Sequence, residues 1–165
     1  MSLSAPILLA DHHELDEFNC GETSLDEWLK KRARANQAGG ASRVFVTCEG
    51  SRVVGYYSLS SSCVVNASAP GRFRRNMPDP IPAVLLGRLA IDKTWQGKGV
   101  GRSLFRDAAM RVSHAAQAIG IRGIVVHAIS DDARKFYIAL GFSVVPGESM
   151  TLVVTLQDIR AGLGF

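Results

Sequence analysis

The sequence predicts an α/β fold in which a mixed central sheet is flanked by helices. Two stretches rich in β-branched and aromatic residues, 42–50 and 52–65, are separated by a short turn, which is the pattern of an antiparallel hairpin. A nearly continuous apolar stretch at 83–91 predicts a buried strand, and a helical apolar period follows over about 100–118. A second apolar stretch at 123–129 is again followed by a helical segment. This alternation indicates a sheet that is partly parallel.

The first elements of the chain have weaker signals. Residues 6–10 predict a short strand. Ser24 and Glu27 have the spacing of a capping box, so we expect Ser24 to open a helix. The two glycines at 39–40 are expected to end it. One apolar face of this helix consists of Leu25, Trp28, Leu29 and Ala33.

The remaining elements follow the same reasoning. Residues 66–82 are rich in Pro, Gly and Arg, and we expect a surface connection there. A short helix is predicted over 130–140, capped by Ser130 or Asp131 and stopped by a glycine. Strands at 142–145 and 150–156 are expected to close the chain.

Composition and charge set limits on the class of protein. The 165 residues, 47% hydrophobic and 21% charged, fit a single globular domain over 1–165. No apolar run reaches the roughly 18 residues of a membrane span, and no secretory signal is recognised. Three widely spaced cysteines predict free thiols in a reducing cytoplasm, and no ligand spacing indicates a metal. The net charge of +4 tolerates a polyanionic partner without requiring one.

The stretch WQGKGVGRSL, residues 95–104, predicts an anion site. Glycines let the backbone approach a phosphate closely, and the first N–H groups of the following helix have no partner within the helix. Lys98 and Arg102 add positive charge. The P-loop and dinucleotide-binding patterns both fail here. The pattern that fits is Q-x-x-G-x-G, formed by Gln96, Gly99 and Gly101.

This stretch resembles the GNAT superfamily of acetyl-CoA-dependent N-acetyltransferases, in which Q/R-x-x-G-x-G/A follows a central strand and binds the pyrophosphate of coenzyme A. A second motif, ARKFYIALGF at 133–142, resembles the last helix of that family. The resemblance covers roughly residues 40 to 156. It implies that acetyl-CoA is the cofactor.

The resemblance also implies roles for individual residues. Tyr137 is the expected general acid that protonates the departing thiolate. From helical spacing we expect Phe136 to pack into the core and Tyr137 to point toward the cofactor. The implied cofactor contacts come from the strand, the glycine turn and the last helix: Leu89, Ala90, Ile91, Gln96, Gly97, Lys98, Gly99, Val100, Gly101, Arg102, Ala133 and Phe136.

Segments 18–46, 55–61, 82–92 and 149–156 narrow the resemblance to the GNAT toxins of bacterial toxin–antitoxin pairs. Those toxins acetylate the α-amino group of aminoacyl-tRNA, which blocks translation. The resemblance implies a ribbon-helix-helix antitoxin as partner and a homodimer. It also implies action as a co-repressor that meets DNA only through the antitoxin complex.

Two basic clusters are candidate tRNA contacts. Their members are Lys30, Lys31, Arg34, Arg43, Arg72, Arg74 and Arg75. The alternative is a solvated helix face, because Lys30 and Lys31 have the i, i+4 spacing to pair with Asp26 and Glu27. Phe73, inside the second cluster, is expected to pack inward rather than to stack on a base.

Two other functions stay open at this point. A GNAT enzyme that acts on a small-molecule or protein amine would share the cofactor site without needing the basic clusters. A non-catalytic regulator would not need Tyr137. No general base is evident, which suits an esterified α-amine because its pKa lies below the value of about 8 for a free α-amine. His127 is expected to be a satisfied core histidine.

Overall fold

The structure is a computed structural model that describes residues 2–164. Among these residues the strands are β1 (Ile7–Leu8), β2 (Arg43–Glu49), β3 (Arg52–Val64), β4 (Ile81–Ile91), β5 (Gly123–His127), β6 (Ser143–Val145) and β7 (Glu148–Thr155). The α-helices are α1 (Thr23–Lys31), α2 (Ala33–Ala38), α3 (Gly71–Arg74), α4 (Val100–Ala115), α5 (Asp131–Ala139) and α6 (Leu156–Leu163).

The strands form one mixed sheet in the order β1-β2-β3-β4-β5-β7-β6. The hairpin of β2 and β3 is antiparallel, as its sequence predicts. Strands β4 and β5 are parallel and are joined through α4, whereas β7 pairs antiparallel with both β5 and β6. The predicted α/β fold with a mixed sheet flanked by helices is therefore confirmed.

The chain divides into two compact units. The first contains the chain up to Ser60 together with Gly87–Ala108, and the second contains Ser61–Leu86 and the chain from Ala109 onward. The glycine turn and the carboxyl half of β4 belong to the first unit, and Tyr137 belongs to the second.

In the first unit, helices lie on both faces of the strands. Tyr56 and Ala90 belong to an apolar cluster with Leu29 of α1. Gly55, one residue away on the same strand as Tyr56, faces α4, because a Cβ atom added to Gly55 would lie 3.1 Å from Leu104 Cδ1 and 3.3 Å from Ile91 Cδ1. Successive side chains alternate across a strand, so neighbouring positions of β3 and β4 serve opposite faces.

The second unit has its own apolar core, to which Phe73 contributes. Phe73 is only 2% exposed, so the prediction that it packs inward is confirmed. Its cluster includes Ile81, Val125 and Val153 from three strands. The Arg122 guanidinium holds the segment in place by donating to the Phe73 carbonyl at 2.9 Å.

Gly123, at the start of β5, is expected to tolerate no side chain. A Cβ atom there would lie 1.9 Å from the Val154 carbonyl oxygen on the neighbouring strand, so Gly123→Ala must displace β7. We expect a loss of about 3 kcal/mol in the free energy of unfolding, the upper end of the range for overpacking. Urea unfolding measures it. Gly120→Ala is the control, because a Cβ there meets nothing within 4 Å. Equal stability of the two variants would contradict the close approach.

The predictions for the first helix differ in outcome. The predicted apolar residues do share one cluster, since Leu29 and Ala33 are fully buried and Leu25 and Trp28 pack against it. The single helix expected up to the glycines at 39–40 is wrong, because α1 ends at Lys31 and Ala33 begins α2.

The capping box is wrong: α1 begins at Thr23, and its N-cap is Glu22 with no side-chain bond. A capping box would have the Glu27 side chain accept a backbone N–H that precedes the helix. In the structure it is the carboxylate of Asp26 that accepts such a group, the Cys20 N–H, at 2.9 Å.

Two further segments differ from the sequence prediction. The chain does not end in a strand, because α6 follows β7 and is capped by Thr155, whose hydroxyl accepts the Asp158 N–H at 3.1 Å. The 66–82 connection contains the short helix α3. No helix among residues 2–164 has the length and apolar character needed to cross a membrane.

Candidate active site

The glycine turn between β4 and α4 is open. Gly97 and Gly99 have φ of 75° and 81°, a conformation that favours glycine, and a Cβ added to either would meet nothing within 4 Å. The Ser103 N–H donates to the Gly99 carbonyl at 3.2 Å and closes the first turn of α4. Helix geometry therefore leaves the N–H groups of Val100, Gly101 and Arg102 without an intrahelical acceptor. Such a turn fits an anion.

The charges beside the turn are free to meet an anion. Lys98 and Arg102 are exposed, and within residues 2–164 neither pairs with a carboxylate. The Lys98 Nζ lies 5.0 Å from the centre of the Trp95 ring, a cation–π contact that keeps it beside the turn. The predicted cations and the helix N-terminus are thus together.

The Gln96 side chain binds backbone groups of the protein, in contrast to the open glycines that follow it. Its side-chain Nε2 donates to the Ile91 carbonyl and to the Cys20 carbonyl, both at 2.8 Å. The side chain therefore ties the end of β4 and the segment before α1 to the entrance of the turn. A cofactor contact made by Gln96 stays a prediction.

The buried carboxylate of Asp92 links the end of β4 to the residues on either side of it in the fold. Its side chain is 3% exposed and receives two donors at each oxygen. Oδ1 accepts the backbone N–H and the hydroxyl of Thr94 at 3.0 and 2.8 Å. Oδ2 accepts the Asn19 N–H at 3.0 Å and an Arg52 N–H at 3.3 Å. Burial alone would raise the pKa of Asp92, but these hydrogen bonds and the Arg52 charge hold it below its usual value.

Asp92→Asn is expected to destabilise the protein in a pH-dependent way. At pH 7 we expect a loss of about 1–3 kcal/mol, because an amide group replaces an acceptor that faces four donors. A lowered folded-state pKa gives stability that is full above the unfolded value of about 3.9 and is lost as pH falls through the folded value. The difference from wild type, measured by urea unfolding, should therefore shrink at pH 3. Asp16→Asn at an exposed position is the control; an equal effect there would contradict the network.

The strand before the turn carries the implied thioester contacts. Ala90 is buried, whereas Leu89 and Ile91 are half-buried. Arg88 precedes them, and sequence reasoning missed it, although a charged residue inside the apolar run LLGRLAI was the available signal. Its guanidinium carbon lies 3.9 Å from the centre of the Trp28 ring.

In the second unit, Tyr137 lies on α5, which Ser130 caps by accepting the Ala133 N–H at 3.1 Å. The expectation that Phe136 rather than Tyr137 packs into the core is wrong, because Tyr137 is 7% exposed and Phe136 is half-buried, while the orientation of Tyr137 toward the cofactor stays a prediction. The reason is that Tyr137 packs edge-on against both Phe136 and Phe142, with ring centres 5.2 and 5.3 Å away.

The Tyr137 hydroxyl has no hydrogen-bond partner within residues 2–164. Burial raises the pKa of Tyr137. The phenol therefore stays protonated well above neutral pH, as a proton donor requires and a base does not.

The basic residues are not equivalent. Lys31 pairs with Glu27 at 3.5 Å, as the alternative expectation stated, and Arg72 makes a two-pronged pair with Asp158 at 2.6 and 2.7 Å. The Arg34 guanidinium donates to the His13 carbonyl at 2.6 Å, and Arg43 donates to the Gln37 carbonyl at 3.3 Å. Of the seven candidate residues, Lys30, Arg74 and Arg75 are exposed and have neither an ionic nor a hydrogen-bonding partner for their side chains in the described chain.

The histidine expectation is wrong. His127 is exposed at the end of β5, where its Nδ1 lies 3.1 Å from the Thr151 hydroxyl. The apolar run places 123–126 in the core but ends one residue before His127. In the part of the chain that the structure describes, no group of His, Cys, Asp and Glu side chains is arranged to hold a metal ion.

A strand, an open glycine turn and a helix N-terminus beside unpaired cations form a site of the class that fits a phosphate group. The comparisons with known proteins are specific: the chain matches the family described as Acetyltransferase (GNAT) domain over residues 40–144. The chain belongs to the GNAT acetyltransferase family.

Individual relatives cover nearly the whole chain. A tRNA-acetylating toxin of Mycobacterium tuberculosis (strain ATCC 25618 / H37Rv) is 50% identical over 161 residues, which is 98% of this chain and 97% of the toxin. The solved structure of AtaT complexed with acetyl-methionyl-tRNAfMet has a TM-score of 0.90 at 33% identity, covering 97% of this chain and 98% of that chain.

A second solved structure shows a toxin with its antitoxin. It is AtaT with a tyrosine-to-phenylalanine substitution, bound to the C-terminus of the antitoxin AtaR and to acetyl-CoA. Its TM-score is 0.86 at 32% identity, and the match covers 100% of both chains. The AtaT–AtaR complex has also been solved with DNA.

Proposed function

We propose that this protein is a toxin that transfers the acetyl group of acetyl-CoA to the α-amino group of an aminoacyl-tRNA and thereby blocks translation. The observation that carries the proposal is the 50% identity to a tRNA-acetylating toxin over 98% of the chain. The open glycine turn supports it, because its orphan N–H groups and the free Lys98 and Arg102 fit the diphosphate of coenzyme A.

In this mechanism acetyl-CoA supplies an activated acetyl thioester. The residues Gly97–Arg102 hold the diphosphate through backbone N–H groups and two cations, and Gln96 fixes the entrance of the turn. Backbone groups of Leu89–Ile91 orient the thioester and polarise its carbonyl. Ala133 and Phe136 are proposed as further cofactor contacts.

Tyr137 is the proposed proton donor to the departing thiolate. Burial raises the pKa of Tyr137, so the phenol carries its proton at neutral pH and can donate a hydrogen bond and share that proton as the C–S bond breaks. The attacking amine needs no dedicated base, because an esterified α-amine is largely uncharged at neutral pH.

The proposed tRNA contacts are the basic residues of the two clusters. Lys30, Arg74 and Arg75 are exposed and have no ionic partner in the described chain, so they are ready to meet phosphates. Lys31, Arg34, Arg43 and Arg72 already have partners within the protein and bind phosphate only in exchange for them.

The remaining partners follow from the same proposal. We infer a ribbon-helix-helix antitoxin, a homodimer, contact with DNA only through the antitoxin complex, and a cytoplasmic location where charged tRNA is found. Free Cys20, Cys48 and Cys63 agree with a reducing compartment. A single domain over 1–165 stays a prediction beside the two compact units.

Acetyl transfer from radiolabelled acetyl-CoA tests the proposal. The purified protein is offered charged tRNA, uncharged tRNA, a polyamine, an aminoglycoside and a lysine-rich peptide side by side. We expect label on charged tRNA alone, and separating the labelled tRNAs then names the amino acid. Label on a small amine or on the peptide, with charged tRNA untouched, would overturn the tRNA assignment and leave the acetyltransferase family intact.

A further inference from the structure

Arg88 of β4 is held against an aromatic platform. Its guanidinium carbon lies 3.9 Å from the centre of the Trp28 ring. Trp28 in turn stacks on Tyr56, with ring centres 6.1 Å apart and planes at 10°. The Tyr56 hydroxyl donates to the Leu25 carbonyl at 2.7 Å, which fastens the platform to α1. The stack therefore fixes the position of the Arg88 side chain.

The charge of Arg88 has no counter-ion among residues 2–164. Within residues 2–164 no carboxylate pairs with it, whereas Arg52 pairs with three and Arg72 with one. Burial lowers the pKa of Arg88, and the nearby Tyr56 acts in the opposite direction. A half-buried cation without an anion costs free energy, and a bound anion removes that cost.

Stacking also leaves the right atoms available. A guanidinium is planar, and contact with an aromatic ring uses its face. The N–H donors lie in its plane and point outward, in the fork geometry that matches two oxygens of one phosphate. The stacked Arg88 is thus a preformed receptor for a phosphate group.

The location of Arg88 in β4 indicates which phosphate group it would bind. Arg88 precedes Leu89, so it stands one residue, about 3.3 Å of strand, from the segment proposed to hold the thioester. It shares the α1 face of β4 with Ala90, whereas Ile91 faces α4 beside Leu104. In an aminoacyl-tRNA, one ribose and one amino acid separate the attacking amine from the phosphodiester of the terminal nucleotide. That span is comparable to an arginine side chain.

We propose that Arg88, stacked on Trp28, binds the phosphodiester of the 3′-terminal nucleotide of charged tRNA and so places the amine for attack. This inference rests on the proposed function. It assigns to Arg88 a substrate contact that is separate from the basic clusters.

Arg88→Met and Arg88→Lys test the inference in steady-state acetyl transfer, with tRNA and acetyl-CoA varied separately. Methionine keeps an apolar stem against Trp28 but removes the charge. We expect Arg88→Met to raise KM for charged tRNA about 10- to 100-fold, as for a charged hydrogen-bond pair. KM for acetyl-CoA should stay within about twofold. The slope of log KM against log salt should fall by about 0.7, for one phosphate contact on a single strand.

The controls separate the alternatives. Arg160→Met removes an equal charge from an exposed position of α6 and should leave KM for charged tRNA unchanged. Arg88→Lys keeps the charge without the fork, so it should retain the salt slope and recover part of the affinity. Thermal unfolding verifies that all variants are folded.

Four results would overturn the inference. Arg88→Met that matches Arg160→Met would show that Arg88 does not contact tRNA. A rise in KM for acetyl-CoA would assign Arg88 to the cofactor, and a loss of kcat with both KM values unchanged would make it a support of β4. If the unchanged protein fails to acetylate charged tRNA, that result contradicts the proposed function itself, and the inference about Arg88 is contradicted as a consequence.

Discussion

Replacing Tyr137 with phenylalanine is expected to lower kcat by about 100- to 10,000-fold, the usual contribution of a positioned proton donor. The ring contacts with Phe136 and Phe142 are kept, so KM for acetyl-CoA should stay within about twofold. Single-turnover acetyl transfer at saturating acetyl-CoA measures the effect. An unchanged kcat would remove Tyr137 from the chemistry.

The pH profile gives a second readout. Burial raises the pKa of Tyr137, so its phenol stays protonated through the pH of about 10 at which a free tyrosine ionises. In wild type, kcat should therefore not fall between pH 7 and pH 10 through loss of this proton. Tyr57→Phe is the matched control, because the Tyr57 hydroxyl donates to Asp107 within the first unit. That variant should lose stability by about 1 kcal/mol and keep its kcat.

Gly99→Glu is expected to raise KM for acetyl-CoA by about 100-fold or more. The substitution places a side chain at φ 81°, which costs about 1–2 kcal/mol, and sets a carboxylate against the diphosphate site. Binding of acetyl-CoA measured by isothermal titration isolates this effect from the chemistry.

Gly147→Glu is the matched control for that substitution. Gly147 has φ of 80°, and a Cβ there also meets nothing within 4 Å, so the backbone strain and the added charge are the same. We expect a similar loss of stability and unchanged binding of acetyl-CoA. If both variants bind acetyl-CoA equally well, the glycine turn is not the diphosphate site.

The features predictable from sequence are those governed by neighbours along the chain. The hairpin over β2 and β3, the Ser130 cap and the glycine turn depend on residues within a few positions of each other. Burial of Phe73 was predictable because a large apolar side chain gains by leaving water even from an irregular segment.

The features that escaped prediction depend on distant partners. Arg72 meets Asp158 across 86 positions, so its cluster could not be sorted into free and paired cations beforehand. Helical spacing alone could not choose whether Phe136 or Tyr137 is buried, since both lie near the apolar face and Phe142 decides between them. The helix begins at Thr23, one residue before the predicted cap, and the carboxylate of Asp26 accepts the N–H of Cys20, six positions earlier.

Gln96 explains which residues the first position of its motif accepts. Its two bonds run from one nitrogen to two carbonyl oxygens, so the position requires a side chain that offers at least two N–H donors and reaches both acceptors. Glutamine and arginine satisfy this requirement, and the family motif begins with either of them. Glutamate has the same length as glutamine but only acceptor atoms, so it would repel both carbonyls. The residue types that fit this position are therefore set by the two backbone carbonyl groups, of Cys20 and Ile91, that its side chain must reach.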